Sequence, residues 1–204
     1  REMQAIAEAE EARWRNGFAS GSVYHGGEEH IDFLNKVYAL NSQSNQLHAD
    51  LWPSGIKYES EIVSMTAHML NGDAVGAPIG SENGVCGCVS SGGTESIMLA
   101  MKTYRDWARD TKGITAPEMV LPVSAHPAFD KSAQYFGIKQ VKTPLDNAFR
   151  ADVEAVRNAV TANTIVIIGS APNFPYGTID PIADLAGIAL SRGTGFHTDS
   201  CLGG

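Results

Sequence analysis

The residues of this 204-residue chain that could do chemistry stand where apolar runs break. In "CVSSGGTES", Cys88 to Ser96, a β-prone run meets paired glycines, Gly92 and Gly93, and then Thr94 at the opening of a helical pattern. That order aims free backbone N–H groups at an anion, with Thr94 or Ser96 as an added hydroxyl donor. It is neither the six-spaced dinucleotide glycine fingerprint nor a P-loop, because no Gly-Lys-Ser/Thr follows. Alone, it reads equally as a turn with Thr94 as helix N-cap. In "SAHPAFDKSAQYFG", His126 follows a strand, where an imidazole can stack on a planar ligand, move a proton or be structural. "SAPNFPYGTIDP" holds Asn173 and Tyr176 in a loop stiffened by Pro172 and Pro175, which by itself is a rigid turn. "GFHTDS" carries Asp199, an acid in an apolar setting two residues after His197. A buried carboxylate is costly without a positive partner, and no cation lies near it in sequence.

The elements that position these residues are legible from periodicity. Helical spacing over "REMQAIAEAEEARWRNG", from Glu28 to Leu40 and over "KYESEIVSMTAHMLNG" predicts three N-terminal helices, separated by a glycine-rich loop and a polar segment carrying Pro53. After Gly72, short strands alternate with helices. "GVCGCVS", "MVLPVS", "IKQVK", "TIVIIGS" and "GFHTDS" read as strands. Helices are expected from Glu95 to about Asp110 and over "PAFDKSAQYFG", "ADVEAVRNAV" and "PIADLAGIALSR". Such alternation implies parallel βαβ units, and a run as apolar as "TIVIIGS" implies burial on both faces. The expectation is an α/β fold, a mostly parallel sheet flanked by helices behind an N-terminal helical extension. Residues 1–72 form the helical segment with its loops, and 73–204 the α/β part.

Composition narrows the partners. A net charge of −8 argues against a phosphate-backbone binder, so no nucleic-acid partner is expected. Cys86, Cys88 and Cys201 lack metal-ligand spacing, and Cys86 and Cys88 are expected as small buried thiols on one strand face. The six histidines offer no helical pair at metal-ligand spacing. With no signal sequence or spanning apolar run, a soluble cytoplasmic protein is expected.

Taken together, an anion-binding helix start, a flat histidine and an acid at successive strand ends describe a pocket for a phosphorylated heteroaromatic cation. Pyridoxal 5'-phosphate fits, because its ring nitrogen becomes a pyridinium beside a carboxylate. The stretches "SGSVYHGG", "LHADLWPSGIKYESEIVSM", "SSGGTESIMLAMKTYRD", "AHPAFDKSAQYFG", "SAPNFPYGTIDPI" and "FHTDSCLGG" resemble the sphingosine-1-phosphate lyases. These belong to the group II decarboxylase-related, fold-type I pyridoxal phosphate enzymes, and the resemblance runs from about Ala19 to Gly204.

By that resemblance Gly92, Gly93 and Thr94 hold the cofactor phosphate, His126 stacks on the pyridine ring, Asp199 pairs with its nitrogen, and His197 lies close by. Tyr24, His48 and Tyr176 match positions implied in substrate phosphate binding and catalysis. The implied reaction is retro-aldol cleavage between C2 and C3 of a phosphorylated sphingoid base, giving a long-chain aldehyde and phosphoethanolamine, in a homodimer with shared active sites. Family members carry the lysine that binds the cofactor in a Ser-x-Asp-x-His-Lys motif, and none of Lys36, Lys57, Lys102, Lys112, Lys131, Lys139 and Lys142 sits in one. The expectation is therefore a fragment, inactive alone, that lacks the rest of the large domain and the C-terminal domain. Any membrane association would come only through segments outside it. Rival readings are a pyridoxal phosphate-dependent amino-acid decarboxylase and a non-catalytic α/β module binding a phosphorylated ligand.

Overall fold

The computed structural model describes residues 1–18 and 25–203, and the chain forms two compact units, Arg1–Ile79 and Gly80–Gly204. The first unit contains helices α1 (Glu2–Arg15), α2 (Glu28–Asn41) and α3 (Ser54–Met69), then a 3₁₀ turn, Gly72–Val75. Alternating charge sets these helices: Arg15 pairs with Glu11 one turn back and with Glu28 at the start of α2, and Lys57 pairs with Glu61. Only Ala67 is buried within them.

The second unit is a four-stranded, wholly parallel sheet in the order β2-β1-β3-β4, formed by β1 (Glu118–Pro122), β2 (Lys139–Thr143), β3 (Thr164–Ser170) and β4 (Gly195–Asp199). The helices are α4 (Gly93–Lys112), α5 (Ala128–Phe136), α6 (Val153–Ala159) and α7 (Ile182–Arg192). β1 and β3 are buried at every position, as their unbroken apolar runs require. Met119, Leu121 and Ile168 pack with Ile97 and Met101 of α4 and Phe129 of α5. Val120 and Ile167 turn the other way, onto Val156 of α6 and Leu185 and Ile188 of α7. Each fully buried side chain of this size contributes about 1.5–3 kcal/mol. Where α4 crosses the start of β4, the Tyr104 hydroxyl donates to the Phe196 carbonyl at 2.6 Å. Residue 195 has to be glycine there, since a Cβ would run into the Tyr104 ring.

One element departs from expectation. "GVCGCVS" forms no strand: residues 85–90 have no regular secondary structure, and Cys86 and Cys88 are exposed rather than packed as core thiols. β-prone side chains do not make a strand without a hydrogen-bonded neighbour, and among the described residues this run has none in the sheet.

Candidate functional site

The sheet register brings three chain exits to one level. Val120 lies beside Ile167, which lies beside Phe196. Three residues on, Val123, Ser170 and Asp199 end the same row. The chain runs from β1 outward to β2 and then returns across β1 to β3, so the crevice between β1 and β3 is a topological switch point. In such sheets that is where ligands gather.

The start of α4 lies beside the chain leaving β4. The helix begins at Gly93 behind an N-cap, Gly92, that offers no side-chain cap, so Thr94 sits in the first turn and is not the cap itself. The first intrahelical bond is from Ser96 N–H to Gly92 O, at 3.0 Å. The N–H groups of Gly93, Thr94 and Glu95 therefore have no partner within the helix. Ser96 is not a free hydroxyl donor: Ser90 Oγ lies 2.6 Å from Ser96 Oγ and itself donates to the Gly92 carbonyl, which leaves the Ser96 proton to bridge the two. Glu95 folds back to accept from Ser91 N–H at 2.6 Å, and hydrogen bonding from the Ser91 side chain, then from its backbone, lowers the Glu95 pKa. A Cβ on Gly93 would stand 3.9 Å from Cys201 Sγ, which ties the helix start to the chain leaving β4.

Asp199 follows from strand alternation. Phe196 packs on the α6–α7 side, so His197 and Asp199 face α4. Asp199 is half-buried, and among the described residues it makes no ion pair. The Cys201 thiol donates to its Oδ1 at 3.8 Å. Its carbonyl accepts from Ala171 N–H at 2.8 Å and so anchors the loop that carries Tyr176. His126 stands exposed on the β1–α5 turn, where its Nδ1 accepts from Ala128 N–H at 3.0 Å. That bond fixes the ring and leaves Nε2 as the outward nitrogen. His126 and the buried Ser124, whose Oγ has no hydrogen-bond partner among the described residues, line a cavity of about 470 Å³ with Lys142 and Phe174.

Asn173 is buried and structural: its amide donates to Thr178 Oγ1 at 2.8 Å, and its carbonyl oxygen accepts from Tyr176 N–H at 3.1 Å. His197 lies under α4, edge-on to Phe129 at 5.8 Å and to Tyr104 at 6.4 Å. Burial pushes its pKa below the ordinary 6.5, against the opposing pull of Asp199. The folded chain resists a proton that the unfolded chain accepts, so this contribution is intact above pH 6.5 and lost as pH falls through the folded value. Between about pH 7 and 5, the denaturant midpoint of the wild type should fall more steeply than that of His197→Gln. Parallel pH profiles would refute this.

The second unit thus gathers Gly92, Gly93, Thr94, His126, Tyr176 and Asp199 at the carboxyl end of the sheet. His48 belongs to the first unit, on an exposed turn where its carbonyl accepts from Trp52 N–H at 2.9 Å. Tyr24 lies outside the described residues. Cys201, Ser124 and Phe149 escaped sequence reasoning, because only tertiary packing brings them to the site. An uncapped helix start, a half-buried carboxylate without a cation and a fixed imidazole are a donor set that suits a phosphorylated pyridinium.

A parallel α/β layer with this site defines the large-domain fold of fold-type I pyridoxal phosphate enzymes. The fold recurs in Lactobacillus brevis glutamate decarboxylase, at 20% identity and a TM-score of 0.66 over 85% of this chain. No family model matches the chain. It is 48% identical over 197 residues to the sphingosine-1-phosphate lyase of Arabidopsis thaliana, covering 95% of this chain and 35% of that protein. It is 46% identical over 191 residues to sphingosine-1-phosphate lyase 1 of Rattus norvegicus, 94% of this chain and 32% of that protein. The Burkholderia pseudomallei sphingosine-1-phosphate lyase structure superposes with a TM-score of 0.92 at 46% identity, over 99% of this chain and 46% of that one. By sequence and fold the chain is similar to sphingosine-1-phosphate lyases over nearly its whole length, and it spans about a third of the length of these curated relatives. Among the described residues, no helix is long and apolar enough to cross a membrane.

Proposed function

We propose that the protein containing this chain is a pyridoxal phosphate-dependent carbon–carbon lyase. Its substrate would be a phosphorylated long-chain base, cleaved between C2 and C3 to a long-chain aldehyde and phosphoethanolamine. The observation that carries this reading is Asp199, a half-buried carboxylate without a cationic partner, one chain turn from an uncapped helix start. When bound, the cofactor would supply an electron sink for cleavage beside the substrate amine.

The chain's own residues would then divide the work. The Gly93 and Thr94 N–H groups, behind Gly92, hold the phosphate at the positive end of α4. The His126 ring, fixed through Nδ1, covers one face of the cofactor. Asp199 keeps the ring nitrogen protonated, because a carboxylate beside it favours the charged form. His197 supports this arrangement from beneath α4. Tyr176, with Tyr24 and His48 of the N-terminal segment, would serve the substrate phosphate and proton movement. The working form would be a homodimer with shared sites.

Titrating pyridoxal phosphate into wild type and Asp199→Ala tests the cofactor role. Losing a hydrogen-bonded, partly screened charge pair should weaken binding by about 10- to 100-fold. Equal affinities would remove Asp199 from the site. In the full-length protein, release of phosphoethanolamine and a long-chain aldehyde is expected, and carbon dioxide release from an amino acid in its place would overturn the lyase reading.

A further inference from the structure

Phe149 has a backbone that its residue type disfavours. Its φ is +60°, a left-handed conformation open to glycine but strained for a bulky side chain. The turn that holds it is rigid. Asp146 Oδ1 accepts from the N–H groups of Ala148 (2.8 Å) and Arg150 (3.0 Å), while Oδ2 pairs with the Arg150 guanidinium at 2.9 Å. Leu145 and Ala151 then close the turn as an antiparallel bridge. The Phe149 carbonyl is grasped by the neighbouring loop, accepting from Thr178 Oγ1 at 2.8 Å and Asn173 Nδ2 at 3.3 Å.

Any residue supplies a carbonyl, and glycine would do so here without strain, so these bonds do not account for a phenylalanine. What the side chain adds, among the described residues, is a ring contact: it stacks on Tyr176, with centroids 4.7 Å apart and planes 19° from parallel. Both rings are about half exposed, at 52% and 50%, so their burial is a weak reason to tolerate the strain. Strain kept where it adds little stability points to function.

We propose that Phe149 is a positioning residue for Tyr176, clamping the phenol in one orientation at the carboxyl end of the sheet. The inference rests on the lyase reading, in which Tyr176 serves the reaction. Its geometric half stands independently.

The test uses the full-length protein with fluorotyrosine incorporated, the Tyr176 fluorine resonance being assigned as the one lost in Tyr176→Phe. Phe149→Gly removes the ring while relieving φ, so thermal stability should hold while the ring-current shift at Tyr176 disappears. Phe149→Tyr should retain that shift. In turnover, Phe149→Gly should lower kcat and kcat/KM together by about three- to tenfold, the worth of one aromatic pair, with Phe149→Tyr near wild type. An unmoved Tyr176 resonance in Phe149→Gly overturns the clamp. A lost shift with unchanged kcat, where Tyr176→Phe does lower kcat, overturns the positioning role. If Tyr176→Phe leaves turnover intact, the assignment of Tyr176 to the reaction falls, and the positioning role falls with it.

Discussion

Phe129→Ala should lose about 3–5 kcal/mol of stability, among the largest single-residue effects in the α/β unit. Phe129 is fully buried on α5, packed with Met101, Met119 and Leu121 between sheet and helices, so truncation leaves a void that neighbours held in strands and helices cannot fill. Phe129→Leu, which keeps most of the volume, should cost under about 1.5 kcal/mol. The same ring meets His197 edge-on at 5.8 Å and helps bury it. Opening that space to water should therefore bring the His197 pKa back up toward 6.5. Chemical denaturation checks the first effect and an NMR titration of the imidazole checks the second. A loss below about 1 kcal/mol, with His197 unmoved, would mean that α5 does not hold the sheet as described.

The contrast between what sequence reveals and what it hides follows the range of the forces involved. "TIVIIGS" announced a strand buried on both faces because seven residues carry that message locally, and Thr164–Ser170 is buried throughout. The helix start at Gly93 and the strand end at Asp199 were legible because each shows as a change of residue type within a few positions. "GVCGCVS" misled for the opposite reason: its side chains favour extension, but a strand is made by its neighbour, and no described residue supplies that ladder. The Phe149–Tyr176 stack joins residues far apart in sequence, and Cys201 meets Gly93 only once the sheet has formed. No window along the chain contains either pair.

Asp180 belongs to that hidden class, and its removal should be nearly as damaging as that of Phe129. In sequence it is an ordinary acid before Pro181. In the fold it is 2% exposed, and each carboxylate oxygen accepts one backbone N–H, Ala151 on Oδ1 and Ser170 on Oδ2, both at 2.8 Å. Its own N–H returns a bond to the Ser170 carbonyl at 3.0 Å. These donors matter for the site. Ser170 shares its row with Asp199, and Ala151 closes the turn that carries Phe149.

Asp180→Ala would leave two buried N–H groups unpaired, at about 1–3 kcal/mol each, and so should cost about 2–6 kcal/mol. Asp180→Asn keeps the shape but has only one accepting oxygen, and its amide would point N–H against N–H. It should therefore fall between wild type and Asp180→Ala, losing about 1–3 kcal/mol. Denaturant unfolding sets the order, and hydrogen exchange should show the Ala151 and Ser170 amides losing protection first in both variants. Asp180→Ala within about 1 kcal/mol of wild type, with both amides still protected, would show that the carboxylate is not what pins the two loops.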